Sequence, residues 1–335
     1  MKLKYLFFPF FGVVILFCSV CSCSTEDAAG RILGSSSEAP VFLTCKAVTE
    51  TEIDFQFSRP VRVLSLHFEP ALEIESLEEG SVVRVKLSGS PGPGEKITTD
   101  LLVEDDQGNT MNVLVPLRTR NVRMPALRIN ELRTEYSKPK AEFIEFKTLE
   151  EGNLAAMRLF IAGNSKDPMV YEFPGIEVGA GEYILLHLRS MEETNKDETG
   201  NNLDESGGVD AVAEVRDLWR PGTEKVLHKT DAVYLLDQDD KVIDAVLLAE
   251  NPDPWWNKEY LAEAAGLLYQ QGAWESAEKE VPGPAAAVNT SNIKTAMTRS
   301  VSRDETIPDS NAPADWYVTA TGGISPGKPN KPKRF

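Results

Sequence analysis

Residues 323–327, Gly-Ile-Ser-Pro-Gly, satisfy the Gly-x-Ser-x-Gly spacing that in hydrolases raises a nucleophilic serine on a sharp strand-to-helix turn. The neighbouring residues defeat that chemistry. The residue after such a serine donates its backbone N–H to the oxyanion, and Pro326 has none. A helix should follow, yet Pro329 and Pro332 forbid one, and no histidine lies beyond Ser325. Glu104, Asp105 and Asp106 are adjacent carboxylates, but they fall where a strand runs into a turn, a place that acidic residues take without any catalytic role. His67, His187 and His228 are the only histidines and stand far apart, with no His-Glu-x-x-His and no paired-cysteine spacing for zinc. Each reads as structural. Asp197, Glu198, Asp204 and Glu205 offer oxygen ligands for calcium, without the regular alternation of an EF-hand loop, so the metal question stays open there. The sequence therefore assigns no catalytic residue and no cofactor.

Aromatic residues are the other candidates. All five tryptophans, Trp219, Trp255, Trp256, Trp274 and Trp316, lie in the C-terminal two thirds of the chain. Exposed in a row, such faces stack on sugar rings or anchor a protein partner; packed, they hold a core. Trp255, Trp256 and Trp274 edge a predicted helix and form the candidate partner contact. Trp316 is expected in the core, and Arg303 is expected to pair with a structural carboxylate.

A chain of 335 residues, 41% of them hydrophobic, is long enough for two domains with real cores. The N-terminus carries Lys2 and Lys4, an apolar run from Tyr5 to Phe17, and then Val20-Cys21-Ser22-Cys23-Ser24. The apolar run has signal-peptide length, shorter than the roughly 20 residues of a spanning helix. This arrangement resembles a bacterial lipoprotein signal. Cys23 is the best acceptor because small Ser22 precedes it, whereas Val20 precedes Cys21 and Phe17 precedes Cys18; a plain secretory signal is the alternative. The resemblance implies a membrane anchor through N-terminal acyl chains, durable when two or more are attached. Removal of residues 1–22 leaves 33 basic and 52 acidic residues, a balance that excludes nucleic acid as a partner. Cys45 then remains as the one unmodified cysteine, expected as a buried, inert thiol. Residues 23–38 are rich in Ser, Gly and Ala and read as a flexible tether.

Residues 39–121 read as a first β domain. Ile53, Phe55 and Phe57 alternate with polar residues, as do Val61 and Val63, Leu66 and Phe68, and Val83, Val85 and Leu87. Asp106-Gln107-Gly108-Asn109 supplies hairpin-turn chemistry between Leu101–Val103 and Met111–Leu117. The phrase from Phe55 to Val61 resembles the strand-turn phrase of bacterial immunoglobulin-like modules.

Residues 122–330 form a second β domain with insertions. Ile129-Asn130-Glu131-Leu132, Glu142–Phe146, Met157–Ile161, Gly181–Leu186, Asp231–Asp237, Val242–Val246, Ser300–Arg303, Asp315-Trp316 and Ser325–Asn330 follow one another in the order of strands in a lamin tail domain, which this stretch resembles. The resemblance implies an immunoglobulin-like sandwich that binds rather than turns over, and it makes 323–327 a closing turn. Met191 to Val215 carries eight acidic residues and one lysine and is expected as a solvated loop. Asp253 to Gly272 is expected as one amphipathic helix, with Pro254 in its first turn and Leu261, Ala264, Leu267 and Leu268 on its apolar face. Residues 331–335 form a basic tail.

The expected fold class is all-β: two immunoglobulin-like β-sandwiches in tandem, the second with an acidic loop and a helical insertion. The expected function is that of an exported, lipid-anchored, non-catalytic binding or scaffolding protein of the bacterial cell envelope, at the outer membrane or periplasmic face, with an envelope protein or glycan as partner. A glycan-binding surface lipoprotein, or an accessory module of an envelope hydrolase, is the alternative.

Overall fold

A computed structural model of the chain describes residues 38–135, 138, 140–163, 167–293, 298–331 and 334. The signal, Cys23 and nearly all of the tether lie outside the described residues. Two sets of strands with separate cores make up the rest, and the fold is all-β with a single longer helix among the described residues.

The first sandwich contains β1 (Phe42–Ala47), β2 (Glu52–Glu69), β3 (Ile74–Glu78), β4 (Gly80–Leu87), β5 (Lys96–Glu104) and β6 (Thr110–Arg118), all antiparallel. Period-two alternation buries Ile53, Phe55, Phe57, Val83, Val85, Leu101 and Val103 on one side of their strands. The phrase from Phe55 to Val61 does not turn. It lies inside the 18-residue β2, whose first half pairs with β1 and β4 and whose second half pairs with β5. The strand changes sheet across a register shift between Gln56 and Val61, which contains Pro60, a residue with no N–H to give to a ladder. The expected hairpin is present: Asp105, buried at the end of β5, accepts from the backbone N–H groups of Gln107 and Asn109 and from Asn109 Nδ2. The carboxylates at 104–106 thus build a turn.

The second sandwich opposes two main sheets. One runs in the order β11 (Met169–Glu172), β10 (Arg158–Ile161), β15 (Asp231–Leu236), β16 (Val242–Ala249), β17 (Val288–Asn289). The other runs β14 (Arg216–Trp219), β13 (Tyr183–His187), β8 (Phe143–Thr148), β7 (Leu127–Arg133), β18 (Val301–Arg303), β19 (Trp316–Val318). The short strands β9 (Gly152–Asn153) and β12 (Glu177–Val178) pair with each other. Every residue of β15 is buried, because one face meets the opposite sheet and helix α1 (Glu259–Gln270) packs on β15 and β16. The helix starts later than its sequence pattern predicts. Asp253 and Pro254 precede it as exposed loop, and Lys258 occupies the cap position. It ends as expected, with Gly272 at φ +67 after the last turn.

The two sandwiches meet through charge and one close backbone approach. Glu172 on β11 pairs with Lys96 and Arg118 of the first sandwich, and Asp239, in the β15–β16 hairpin, pairs with Lys46 and Arg120. Gly94 has φ +65, and a Cβ there would sit 2.6 Å from Ala155 Cβ, so this junction requires glycine. Exposed ion pairs contribute little stability each, about 0–1 kcal/mol. A fragment spanning 39–121 is therefore expected to fold alone on its own core, giving dispersed amide resonances and cooperative urea unfolding; a disordered fragment would mean that the two cores fold as one.

Candidate functional site

The sequence phrases of the second domain converge on one buried polar network. At its centre, a register shift between Ile129 and Glu131 leaves Asn130 outside the β7–β8 pairing, and side chains from other strands bond the backbone of Ile129 beside it. Asp244 Oδ2, from β16 in the opposite sheet, accepts the Ile129 N–H at 2.7 Å, and Arg303 Nε on β18 donates to the Ile129 carbonyl at 2.9 Å. Arg303 Nη2 also lies 2.8 Å from both Asp244 oxygens, and Nη1 donates to Asp309 at 2.8 Å. The guanidinium lies 4.4 Å from the centre of the Trp316 ring, its cross-strand partner. Arg303 is thus the ion-pair residue its sequence context predicts, and Trp316 is buried as expected.

Glu131 and Glu145 stand directly opposite each other on β7 and β8, and both are fully buried. Glu131 accepts from Ser300 Oγ, Ser302 Oγ and the backbone N–H of Ser325. Glu145 accepts from Asn130 Nδ2 at 2.9 Å and from the backbone N–H of Gly327 at 2.5 Å. Asn330 Nδ2 closes the network by donating to the carbonyls of Asn130 and Arg303. The Gly-Ile-Ser-Pro-Gly stretch is therefore a closing turn that wraps its N–H groups around two carboxylates. Burial, and after it the adjacent Glu131, push Glu145 up to about 8, and burial raises Glu131 as well, so two negative charges on the pair are disfavoured at neutral pH.

The acidic loop is largely exposed, as expected of a solvated segment, but not all of its carboxylates are free. Two of them serve the edge of the second sheet. Glu198, buried, accepts the Asp217 N–H at 2.8 Å, and Asp197 accepts the Trp219 N–H at 2.6 Å, two alternate donors along edge strand β14. Arg216 Nη1 returns hydrogen bonds to the carbonyls of Glu198 and Gly200. Asp210 pairs with Arg133, and Asp204 accepts the Glu214 N–H. Glu205 accepts from Asn202. Among the described residues no group of three or more His, Cys, Asp or Glu side chains is placed to hold a metal ion. Behind this edge, His187 stacks on Trp219 with ring centres 3.8 Å apart, and its Nε2 lies 2.7 Å from Asp217 Oδ1. No spacing in the sequence signals this buried trio.

Of the candidate contact tryptophans, one is available at the surface. Trp255 is 78% exposed. Trp256 is half-buried against the main core and donates Nε1 to the Pro282 carbonyl. Trp274 is fully buried and must be withdrawn as a contact residue: the turn at Gly272 folds the chain back, the Ala273 N–H bonds the Leu268 carbonyl, and the indole enters the core with Nε1 on the Ala286 carbonyl. Cys45 departs from expectation in the other direction. It is half-buried and lines the cleft between the sandwiches, and burial pushes its thiol up. Of the basic tail, Arg334 pairs with Asp304 and lies over the Tyr317 ring, while Lys333 lies outside the described residues.

The family model TP_1001_2nd, described as a protein second domain, matches residues 125–318, more than half of the chain and nearly all of the second sandwich. The chain belongs to this family. An uncharacterized protein of Treponema pallidum (strain Nichols) is 26% identical over 227 residues, which cover 64% of this chain and 57% of the relative, so the chain matches less than two thirds of that relative's length. The N-terminal part of the bacterial S-layer protein SbsC aligns over 48% of this chain and 42% of its own at 14% identity, with a TM-score of 0.25. A DUF4876 family protein from Bacteroides thetaiotaomicron VPI-5482 aligns over 80% and 88% at 11% identity, with a TM-score of 0.27. These superpositions are loose, and the fold assignment rests on the sheet topology itself.

Two outcomes test the network of this TP_1001_2nd domain. Arg303→Ala leaves Asp244 buried and unpaired, and is expected to cost about 3–5 kcal/mol in urea unfolding, with Arg303→Lys recovering only part because a lysine cannot serve Ile129, Asp244 and Asp309 together. The Glu145 prediction concerns pH. Its folded value lies above the unfolded value near 4.5, so the native chain keeps a proton that the unfolded chain releases; this contribution is fully present below about 4.5 and is lost as pH rises through about 8. Glu145→Gln should flatten the fall in melting temperature between pH 6 and 9, at a cost of about 1–2 kcal/mol at pH 6 because one of its two donors must then face an amide NH₂.

Proposed function

We propose that the chain is an exported, lipid-anchored, non-catalytic binding or scaffolding protein of the bacterial cell envelope, with a second domain of the lamin-tail type. The observation that carries the non-catalytic reading is the fate of the motif residues. Glu131, Glu145, Asp244 and Arg303 are buried and hold backbone groups of their own fold, and Ser325 gives its own backbone N–H to Glu131, so the most distinctive residues of the domain build a scaffold. The Ser22-Cys23 box behind an apolar run supports the anchor and the envelope location. The exposed face of Trp255 beside the start of α1 supports partner contact at that end of the second sandwich, since a large, exposed indole is a favoured interface anchor.

One set of variants tests the anchor and the contact together. Cys23→Ala is expected to move the protein from membrane to soluble fractions, and membrane retention with no acyl mass on the mature N-terminus would overturn the anchor. Trp255→Ala should weaken capture of the envelope partner at an unchanged melting temperature. Trp256→Ala should instead lower stability by about 2 kcal/mol, as expected for a half-buried packing residue. Undiminished capture by a stable Trp255→Ala protein would move recognition elsewhere, and retention on purified cell-envelope glycan in place of protein would make the partner a saccharide.

A further inference from the structure

The cleft between the two sandwiches has a volume of about 640 Å³ and inverts the charge of the molecule around it. Its walls carry five cations and three carboxylates, in a chain whose formal charge is −17. The imbalance has a definite geometry. The first sandwich contributes four of the cations and none of the carboxylates. Glu172 uses both its oxygens, one on Arg118 and the other on Lys96 Nζ at 3.2 Å. Asp239 is also shared: Arg120 holds both its oxygens, through Nη1 at 2.9 Å and Nη2 at 2.7 Å, and Lys46 Nζ lies 2.6 Å from Oδ1. Each carboxylate therefore serves two cations and leaves one positive charge uncompensated. The fifth cation, Arg158, is matched by Asp240. Side chains of Lys46 and Lys96 are 57% and 73% exposed, so their ammonium groups reach solvent in the mouth of the cleft.

We infer that this cleft binds a small ligand bearing two or more oxyanion groups, with the Lys96–Arg118 pair taking one group and the Lys46–Arg120 pair the other. Three features favour such a ligand over solvent counterions. The surplus charge is split into two centres, so a divalent ligand gains twice what a monovalent ion gains from one. In each centre the arginine is held on its carboxylate as a fixed positive charge, and the exposed lysine is the mobile donor that can turn to phosphate, sulfate or carboxylate oxygens. The concave walls come from both sandwiches, and low-dielectric walls concentrate the field inside a charged cleft. The exposed Thr98, also in the lining, places a further polar group beside the charges. This site is separate from the surface around Trp255, and it would bind whether or not the protein is lipid-anchored.

Isothermal titration of the full chain with inorganic pyrophosphate, repeated with citrate, tests the inference against sodium chloride at matched ionic strength. The expected result is saturable binding of one pyrophosphate per chain, absent with chloride. Lys46→Gln combined with Lys96→Gln should weaken it at least about ten-fold while the melting temperature without ligand stays near wild type, because both lysines are surface residues in exposed pairs. Lys86→Gln, which removes one positive charge from a surface pair with Glu75 outside the cleft, should leave binding unchanged. Pyrophosphate binding with equal affinity to the double variant would overturn the site, as would equal loss in Lys86→Gln or no binding beyond that of chloride. Citrate binding as tightly as pyrophosphate would identify the shared requirement as clustered oxyanions, and binding of pyrophosphate alone would narrow the ligand to phosphate chemistry.

Discussion

The peptide groups of Ile129 join the two sheets of the second sandwich, and the structure around them exists to make that junction affordable. Beside a register shift on β7, Asp244 from the opposite sheet accepts the Ile129 N–H and Arg303 from β18 donates to the Ile129 carbonyl. A buried ion pair by itself adds little, because removing two charges from water costs about as much as their attraction returns. Here nearly every remaining donor and acceptor is used: Asp244 also accepts the Ala245 N–H, Arg303 also reaches Asp309, and Trp316 covers the guanidinium face. The pair therefore acts as a fixed set of hydrogen bonds between layers, and specifies which strand of one sheet faces which strand of the other.

The Glu131–Glu145 pair obeys the same rule with opposite electrostatics. Two carboxylates facing each other across a buried ladder are disfavoured in the doubly ionised form, and burial raises both of them. The donors come from far along the chain: Ser300, Ser302, Ser325 and Gly327 all reach back to β7 and β8. Gly327 must be glycine, since its φ is +73 and a Cβ would meet Val215 Cγ2 at 2.2 Å. The C-terminal segment thereby locks onto the first two strands of its own domain, closing the sandwich after the long insertions have been accommodated.

Those insertions serve the sheets as well. The acidic loop neutralises the open edge at β14 by giving carboxylates to its backbone donors, an arrangement in which negative charge is favourable and strand addition by another chain is blocked. The helix covers the second face of β15 and β16, so strands that would otherwise expose apolar residues are buried on both sides. Opposite these coverings, the β15–β16 hairpin and β11 present Asp239 and Glu172 to the cationic rim of the first sandwich. The same charges that dock the sandwiches shape the cleft between them.

Several features were legible in the chain because they depend on neighbours a few residues away. Alternation marked the strands carrying Phe55 and Val85; the Asp105–Asn109 turn and the stop at Gly272 followed from local backbone chemistry; Arg303 and Trp316 were readable as structural from their phrases. Continuous passage of β2 through Pro60 was not legible, since a proline ends a strand or lets it cross between sheets depending on partners far away. The burial of Trp274, the edge-capping task of the acidic loop and the His187–Trp219 stack were equally hidden. So was the buried network, whose members are separated by 59 residues between Asp244 and Arg303 and by 194 between Glu131 and Ser325. Side-chain periodicity and turn propensity are local properties, and the sequence by itself determined them. Which carboxylate meets which donor depends on the strands that become neighbours when both sheets and the helix close over one core, and only the tertiary structure decided that.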